Sequence, residues 1–468
     1  MCFRPENCHR TVRNRQSKQS SIMYILRSIK LFGLYKMYVF LVEAIDNPAK
    51  ADVNREQRPD KSPGENEKET AIMKKILASV LAILMIISMA ACGGNSAPAA
   101  TEAPAATEAP AAEAPAAEAP ADAGQKTVGI AMPTKSLERW NRDGEYLKAQ
   151  FEAAGYAVEL TYSDNDNTKQ NNDISNMLAD KVDLLIVAAI DGEALTQTLA
   201  EAKDQGVPVI AYDRMIKADA VDYYVSFDNY TVGVLQAKYV IEHMDLDNAG
   251  DKTYNIEFTA GDPADNNAGY FFNGAYDTLK PYLDAGTLKI PSGKNTFEQV
   301  ATPAWSTDTA LENFQNTLAS FYSDGTVLDI ALCSNDSTAA GVSQAIESDY
   351  AGSNTVMVTG QDGDIGNLQN IVDGKQTMTV YKNVADEAGV TLVLAQALLN
   401  GDAIDASLCD KFAVTAAYDT ESYENGTRPV TSFLLVPWSV DNTNLQQLVD
   451  TGNYKWDANN KYLESTAS

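Results

Sequence analysis

The chain has 468 residues, 36 Lys and Arg against 64 Asp and Glu, a net charge of −28, and 45% apolar and 8% aromatic residues. These values exclude a disordered tail protein, a small disulfide scaffold and a polybasic nucleic-acid binder. The length allows about two to four domains at roughly 100 to 200 residues each. Residues 1–72 come first, with 13 basic and 9 acidic residues and no repeating apolar period. Their apolar stretch, 22–45, is broken by Arg27, Lys30 and Lys36, which makes it a poor membrane span.

Residues 73–92 read MKKILASVLAILMIISMAAC: two lysines, a 14-residue apolar run over 76–89, small residues and a cysteine. This is the three-part pattern of an export signal, and its run is shorter than the ~20 residues of a spanning helix. The stretch around Cys92 resembles a bacterial lipobox, which implies cleavage before Cys92 and a diacylglycerol thioether on its sulfur. Two acyl chains make a stable anchor. Because export signals work at an N-terminus, Met73 is expected to be the true start. Residues 1–72 are then an upstream leader that does not fold, and 73–91 a lipoprotein signal peptide.

Without residues 1–91 the chain holds 21 Lys and Arg against 55 Asp and Glu, a field that repels phosphate backbones. Cys333 and Cys409 are the cysteines left in the body. Two buried thiols are expected, with a lone disulfide as the alternative, because Cys333 lies inside an apolar strand pattern. Residues 92–125 are expected to be a lipid-bearing cysteine followed by repeats of Ala, Pro and Glu such as TEAPAATEAPAAEAP, a tether with nothing to bury.

From residue 126 on, short apolar runs alternate with helical periods. The runs are 127–133, 157–162, 183–190, 208–212 and 223–227, then 255–261, 327–334, 354–360 and 376–381. Trp140, Leu147, Phe151 and Ala154 mark one helical stripe, and Val384, Ala388, Leu392, Ala395 and Leu399 another. Continuous apolar strands joined by helices predict an α/β fold of parallel sheets covered by helices on both faces. The number of strands exceeds one ordinary sheet, so two lobes are expected.

Ligands of open parallel sheets sit beyond the carboxyl ends of the strands, and the residues there are polar in this chain. They are Lys135 and Arg139-Trp140, Asp213-Arg214, Asp228-Asn229, Asp262 with Asp265-Asn266-Asn267, Asn335-Asp336, Gln361-Asp362 and Lys382. Carboxylates, carboxamides and guanidinium groups match vicinal hydroxyls, and Trp140 and Trp305 suit the C–H face of a sugar ring. A neutral polyhydroxylated ligand follows.

The segments KTVGIAMPTKSLERW, VIAYDRMI, YYVSFDNYTVGVLQA, GDPADNNA, SNDSTAAG, GQDGD and QTMTVYK occur in that order. Together they resemble the periplasmic sugar-binding proteins of ABC importers, of the multiple-sugar-binding and D-xylose-binding kinds. The resemblance covers nearly all of residues 126–454. It implies a type I periplasmic binding protein: two Rossmann-like lobes joined by a three-strand hinge. The N-terminal lobe would be 126–227 plus 382–434, and the C-terminal lobe 228–381 plus 435–468. By motif match the sugar contacts would be Lys135, Arg139, Trp140, Asp213, Arg214, one or both of Asn266 and Asn267, Trp305, Asn335, Asp362 and Lys382. SND is closer to the xylose binders, whereas AMPTK and the stretch from FDN to VGVLQA are closer to the multiple-sugar binders, so the sugar stays open among xylose, glucose, galactose and arabinose.

Each position has an ordinary structural alternative. Trp140 fits its helix's apolar stripe, Asn266, Asn267 and Asp336 fit helix N-caps, Arg214 fits a surface ion pair, and Lys135 and Lys382 fit solvated charges. For Asp336 the cap is preferred.

Other chemistry finds little support. His243 lies on the stripe of Val232, Leu235 and Tyr239, which reads as packed or half-exposed structure. One histidine and two distant cysteines give no zinc spacing, and residues 245–256 lack the ligands of a calcium loop. No Walker loop, dinucleotide fingerprint or nucleophile elbow occurs, so no cofactor, metal or catalysis is expected.

The partners expected are one monosaccharide, a membrane ABC permease, a chemoreceptor as a further reader of the closed form, and the membrane through Cys92. The protein is expected to act as a monomer, extracytoplasmic and lipid-anchored. A nucleoside or autoinducer ligand is the alternative within the same class. A glycoside hydrolase using Asp213 and Asp362 is a second class, needing carboxylates roughly 5 to 9.5 Å apart and one raised pKa. A repressor is a third, and it requires a basic helix-turn-helix where the signal and acidic tether stand.

Overall fold

The computed structural model describes residues 124–466. The expected leader, signal peptide, Cys92 and most of the tether fall outside that range.

The chain begins with β1 (Thr127–Met132), α1 (Glu138–Ala153), β2 (Ala157–Tyr162), α2 (Asn167–Ala179), β3 (Leu184–Val187), α3 (Thr196–Gln205), β4 (Val209–Tyr212) and β5 (Tyr223–Phe227). It then leaves for a second layered body: α4 (Asn229–His243), β6 (Tyr254–Thr259), α5 (Asn266–Ala285), β7 (Leu288–Lys289), α6 (Phe297–Val300), α7 (Thr307–Phe321), β8 (Ile330–Cys333), α8 (Asp336–Asp349), β9 (Met357–Val358), α9 (Ile365–Val372) and β10 (Met378–Tyr381). Next, α10 (Val384–Asn400), β11 (Ala416–Asp419) and β12 (Thr431–Leu435) return to the first body. Finally β13 (Trp438–Asp441), α11 (Gln446–Asp450), β14 (Tyr454–Trp456) and β15 (Leu463–Ser465) complete the second. The chain thus passes between the bodies at 227–229, 381–384 and 435–438.

The first sheet has seven strands in the order β11-β12-β5-β4-β3-β1-β2, all parallel except β11, which pairs antiparallel with β12. β1 lies between β2 and β3, which both pair in register with its Val128 to Ala131, so the strand order reverses between β1 and β3. Such a reversal opens a crevice at the carboxyl ends of the two strands. The sheet is covered on both faces. Trp140, Leu147 and Phe151 of α1 pack with Ala388 and Leu394 of α10 on one side, and Ile174, Met177 and Leu199 of α2 and α3 on the other. Ala154, placed on the α1 stripe by periodicity, is instead the exposed C-cap, because the helix has already ended.

The second sheet, β7-β6-β8-β9, is parallel, with α4 and α5 against one face and α7 and α8 against the other. β9 is shorter than its apolar run because residues 360–362 turn aside to pair with β10, Gln361 bridging to Val380. β10 also pairs antiparallel with β13. Cys333 is buried in β8, and Cys409 is half-buried in a short 3-10 turn of the other body rather than buried. His243 is exposed and stacks on Tyr239. Among the described residues no helix is long and apolar enough to cross a membrane.

Helix starts follow local chemistry. Asp166, Asp228, Asp265, Ser306, Asn335 and Asn383 each accept an N–H of their own first turn. The expected caps at Asn266, Asn267 and Asp336 therefore sit one or two residues earlier, on Asp265 and Asn335, because the cap must lie outside the helix to turn its oxygen back. α4 and α5 cross closely at Gly233, where an added Cβ would lie 2.0 Å from the carbonyl oxygen of Phe271. Gly233→Ala should therefore force the helices apart and cost about 1 to 3 kcal/mol, measured as a lower urea midpoint without loss of helical signal.

Candidate functional site: a polar crevice between two lobes

α1 starts after the loop that follows β1, and its first turn carries Arg139 and Trp140 into the crevice. Both are buried. Arg139 Nη2 stands 2.6 Å from Asp213 Oδ2 and 3.1 Å from Glu387 Oε2, its Nε is 3.1 Å from Asp143, and its Nη1 is 3.5 Å from Asp362 Oδ1. Asp362 belongs to the second lobe and the other three acids to the first. Lys382, at the second crossing, adds its ammonium 3.5 Å from Asp213 and 3.2 Å from Asp362.

Opposite lies a second ion pair across the crevice. Arg214 Nε is 3.0 Å from Asp265 Oδ2, at an angle that gives charge attraction without a hydrogen bond. Its Nη1 donates to the carbonyl of Ala189 at 3.0 Å. Trp305 Nε1 donates to the same Asp265 oxygen at 3.2 Å. The Trp140 ring lies 4.9 Å from the Arg139 guanidinium and 5.0 Å from that of Arg214. Asn335, the cap of α8, reaches Asp362 Oδ2 at 3.5 Å. The crevice holds about 370 Å³ of atom-free space, part of it open to solvent.

Of the eleven residues singled out from the sequence, eight line this space: Arg139, Trp140, Asp213, Arg214, Trp305, Asn335, Asp362 and Lys382. Three do not. Lys135 is exposed, its ammonium 4.6 Å over the Tyr162 ring. Asn266 is half-buried off the lining. Asn267 is buried one layer below: its amide donates to the Asp213 carbonyl at 2.7 Å and its oxygen accepts from the Tyr224 hydroxyl. Lys382 is buried and paired, not solvated. Trp140 both packs in the core and faces the cavity.

The backbone is strained where the site is built. Asp213 has φ 57, Trp305 φ 52 and Asp362 φ 107, values that residues with a Cβ seldom adopt. Gly261 makes room for the Trp305 ring, since a Cβ there would fall 1.9 Å from its Cη2.

Several site members escaped the sequence reading as ligand positions. Asp265 was visible as a strand-end acid, and Asp143 is four residues after Arg139, one helical turn on. Glu387 carried no signal, sitting in the first turn of an apolar-striped helix. Asp336 is no cap: its carboxylate accepts the N–H groups of Gly363 and Asp364, both at 2.9 Å.

Fold and crevice together define a bilobal α/β protein of the binding-protein kind, with a polar crevice between its lobes. A model of the periplasmic binding protein domain matches residues 128–403, and the chain belongs to that family. It is 40% identical over 333 residues to a multiple sugar-binding periplasmic protein of Azospirillum brasilense, covering 70% of this chain and 89% of the relative. It is 33% identical to a D-xylose-binding periplasmic protein of Escherichia coli, covering 70% and 91%. A solute-binding protein of an ABC transporter from Clostridium phytofermentans, solved with β-D-glucose, is 45% identical with a TM-score of 0.66, covering 70% of this chain and 98% of that one.

Burial by itself would raise the Asp213 carboxyl, but Arg139, Lys382 and Arg214 hold it below the ordinary value. It is therefore ionised at neutral pH. Glu387 is pushed up by burial and by Asp213, with Arg139 opposing, and its Oε1 has no partner. Between the unfolded glutamate value, ~4.3, and its raised folded value, Glu387 binds more protons folded than unfolded, so stability falls as pH rises through that window. Thermal melts across that range should show this decline, and Glu387→Gln, which cannot titrate, should make it shallower, with the raised Asp143, Asp265, Asp336 and Asp364 supplying the rest.

Proposed function

We propose that this chain is the extracytoplasmic binding component of an ABC sugar importer. It captures one neutral aldose, such as xylose, glucose, galactose or arabinose, between its lobes and presents it to a membrane permease. The observation that carries this reading is the convergence of eight side chains from both lobes on one crevice. Fork-shaped acids, amides and guanidinium groups next to two indole rings match a ring with hydroxyls on its rim and C–H bonds on its faces. The names of the relatives, multiple-sugar, D-xylose and glucose binders, support the same class.

The proposed mechanism is hinge closure. Three strand connections join the lobes, and a sugar touching both surfaces favours the shut arrangement. The permease then needs only to read the joined lobe surfaces. Arg139, Trp140, Asp213, Arg214, Trp305, Asn335, Asp362 and Lys382 hold the sugar in this reading, with Asp265 added to them, while Lys135, Asn266 and Asn267 act from outside the lining. Binding without chemistry is supported by Asp213, since a carboxylate kept ionised by three nearby cations is no proton donor. The acylated Cys92 and the acidic tether would hold the receptor at the membrane.

A thermal-shift screen should find stabilisation by at least one aldose and none by nucleosides. A Kd of ~0.1 to 10 μM, about −7 to −9.5 kcal/mol, suits a receptor that must also release. At about 100 times Kd the stabilisation is about 2.7 kcal/mol. Asp362→Ala and Arg214→Ala should each abolish it, because each removes a charged partner from across the crevice along with its polar atoms in the lining; retained affinity in both would refute the site. Labelling with radioactive fatty acid should mark the wild type and leave Cys92→Ser unmarked.

A further inference from the structure

Arg142 lies on α1 three residues beyond Arg139 and is buried, yet it does not line the crevice. Its guanidinium reaches into the other lobe. Nη1 donates to the carbonyl of Gly363 and the hydroxyl of Tyr454, both at 2.9 Å, and Nη2 donates to the carbonyl of Asp362 at 3.1 Å and to Asp364 Oδ1 at 3.0 Å. One turn earlier, Glu138 Oε1 accepts the N–H of Ile365 at 2.9 Å. One helix of the first lobe therefore grips residues 362–365 of the second.

That turn carries Asp362, whose side chain faces Arg139, Lys382 and Asn335 in the crevice while its backbone holds φ 107. The turn is held from two sides. Its N–H groups at 363 and 364 are bound by Asp336, a residue of the same lobe, so this grip needs nothing from the other lobe. Its carbonyls at 362 and 363 are bound by Arg142, which comes from the other lobe and is present only when the lobes meet.

We propose that Arg142 is a positioning residue for ligand capture, fixing the 362–365 turn so that Asp362 is presented to the ligand only when the lobes are shut. The proposal rests on the hinge-closing sugar-binding reading above. Arg142 touches no ligand, so its removal weakens the closed state for every sugar by the same factor. The loss appears in the dissociation rate, because the bonds form after the ligand has entered. A residue that contacts sugar would instead change the ranking among sugars.

The test uses the lipid-free mature chain, with D-glucose and D-xylose as probes, calorimetry for Kd and stopped-flow tryptophan fluorescence for rates. Arg142→Met keeps the aliphatic stem and removes the donors. Both Kd values should rise by one common factor, roughly 30-fold or more, mostly through faster dissociation, with their ratio unchanged. Arg142→Lys, retaining a single charged donor, should recover part of the loss. Should Arg142→Met fail to fold, Asp364→Asn, which keeps shape and main-chain N–H, should give a smaller uniform loss. Unchanged affinity in the folded variants, or a shifted glucose-to-xylose ratio, overturns the proposal. Wild type that binds no aldose refutes the sugar-binding reading itself, a result read before any variant is compared.

Discussion

Arg139 is buried between two lobes and faces four carboxylates, three from its own lobe and Asp362 from the other. A guanidinium taken from water must be compensated almost completely, since the desolvation cost per ion runs to several kcal/mol. Here the compensation is shared across the crevice, so the charge is fully answered only when the lobes meet. Lys382 repeats the arrangement on Asp213 and Asp362, and Arg214 with Asp265 supplies it again on the opposite wall.

Holding those groups in place requires backbone that would not otherwise adopt its shape. Asp213 and Asp362, the two acids shared by Arg139 and Lys382, both lie at positive φ. Each is braced from behind: Asn267 grips the carbonyl of Asp213, and Asp336 grips the two N–H groups after Asp362. Such supports account for buried polar residues that face away from the crevice. They also explain why an asparagine one layer below the cavity can matter to a site that it does not line.

Much of this was legible in the linear order of residues. Apolar runs bounded by polar strand ends fixed the alternation of strands and helices, and the strand-end rule picked out seven of the eight residues that do meet, Trp305 coming from its motif match. The rule failed where contact depends on a side chain's direction. Lys135 follows a strand as the site residues do, but its chain turns out over Tyr162. Asn266 and Asn267 are adjacent, and the helical rotation between them leaves one half-buried and turns the other to the Asp213 carbonyl. Glu387 and Arg142 gave no local sign, since their partners are about 248 and 222 positions away in sequence.

The sequence by itself determined the layered α/β class, the two-lobed division and the chemical character of the crevice, because apolar periodicity and residue type are local properties carried by neighbouring positions. The tertiary structure alone decided which charges neutralise which, where backbone strain is tolerated, and how one helix of the first lobe grips a turn of the second. Those outcomes depend on distances between residues far apart in the chain, and such distances exist only once both sheets have formed and met.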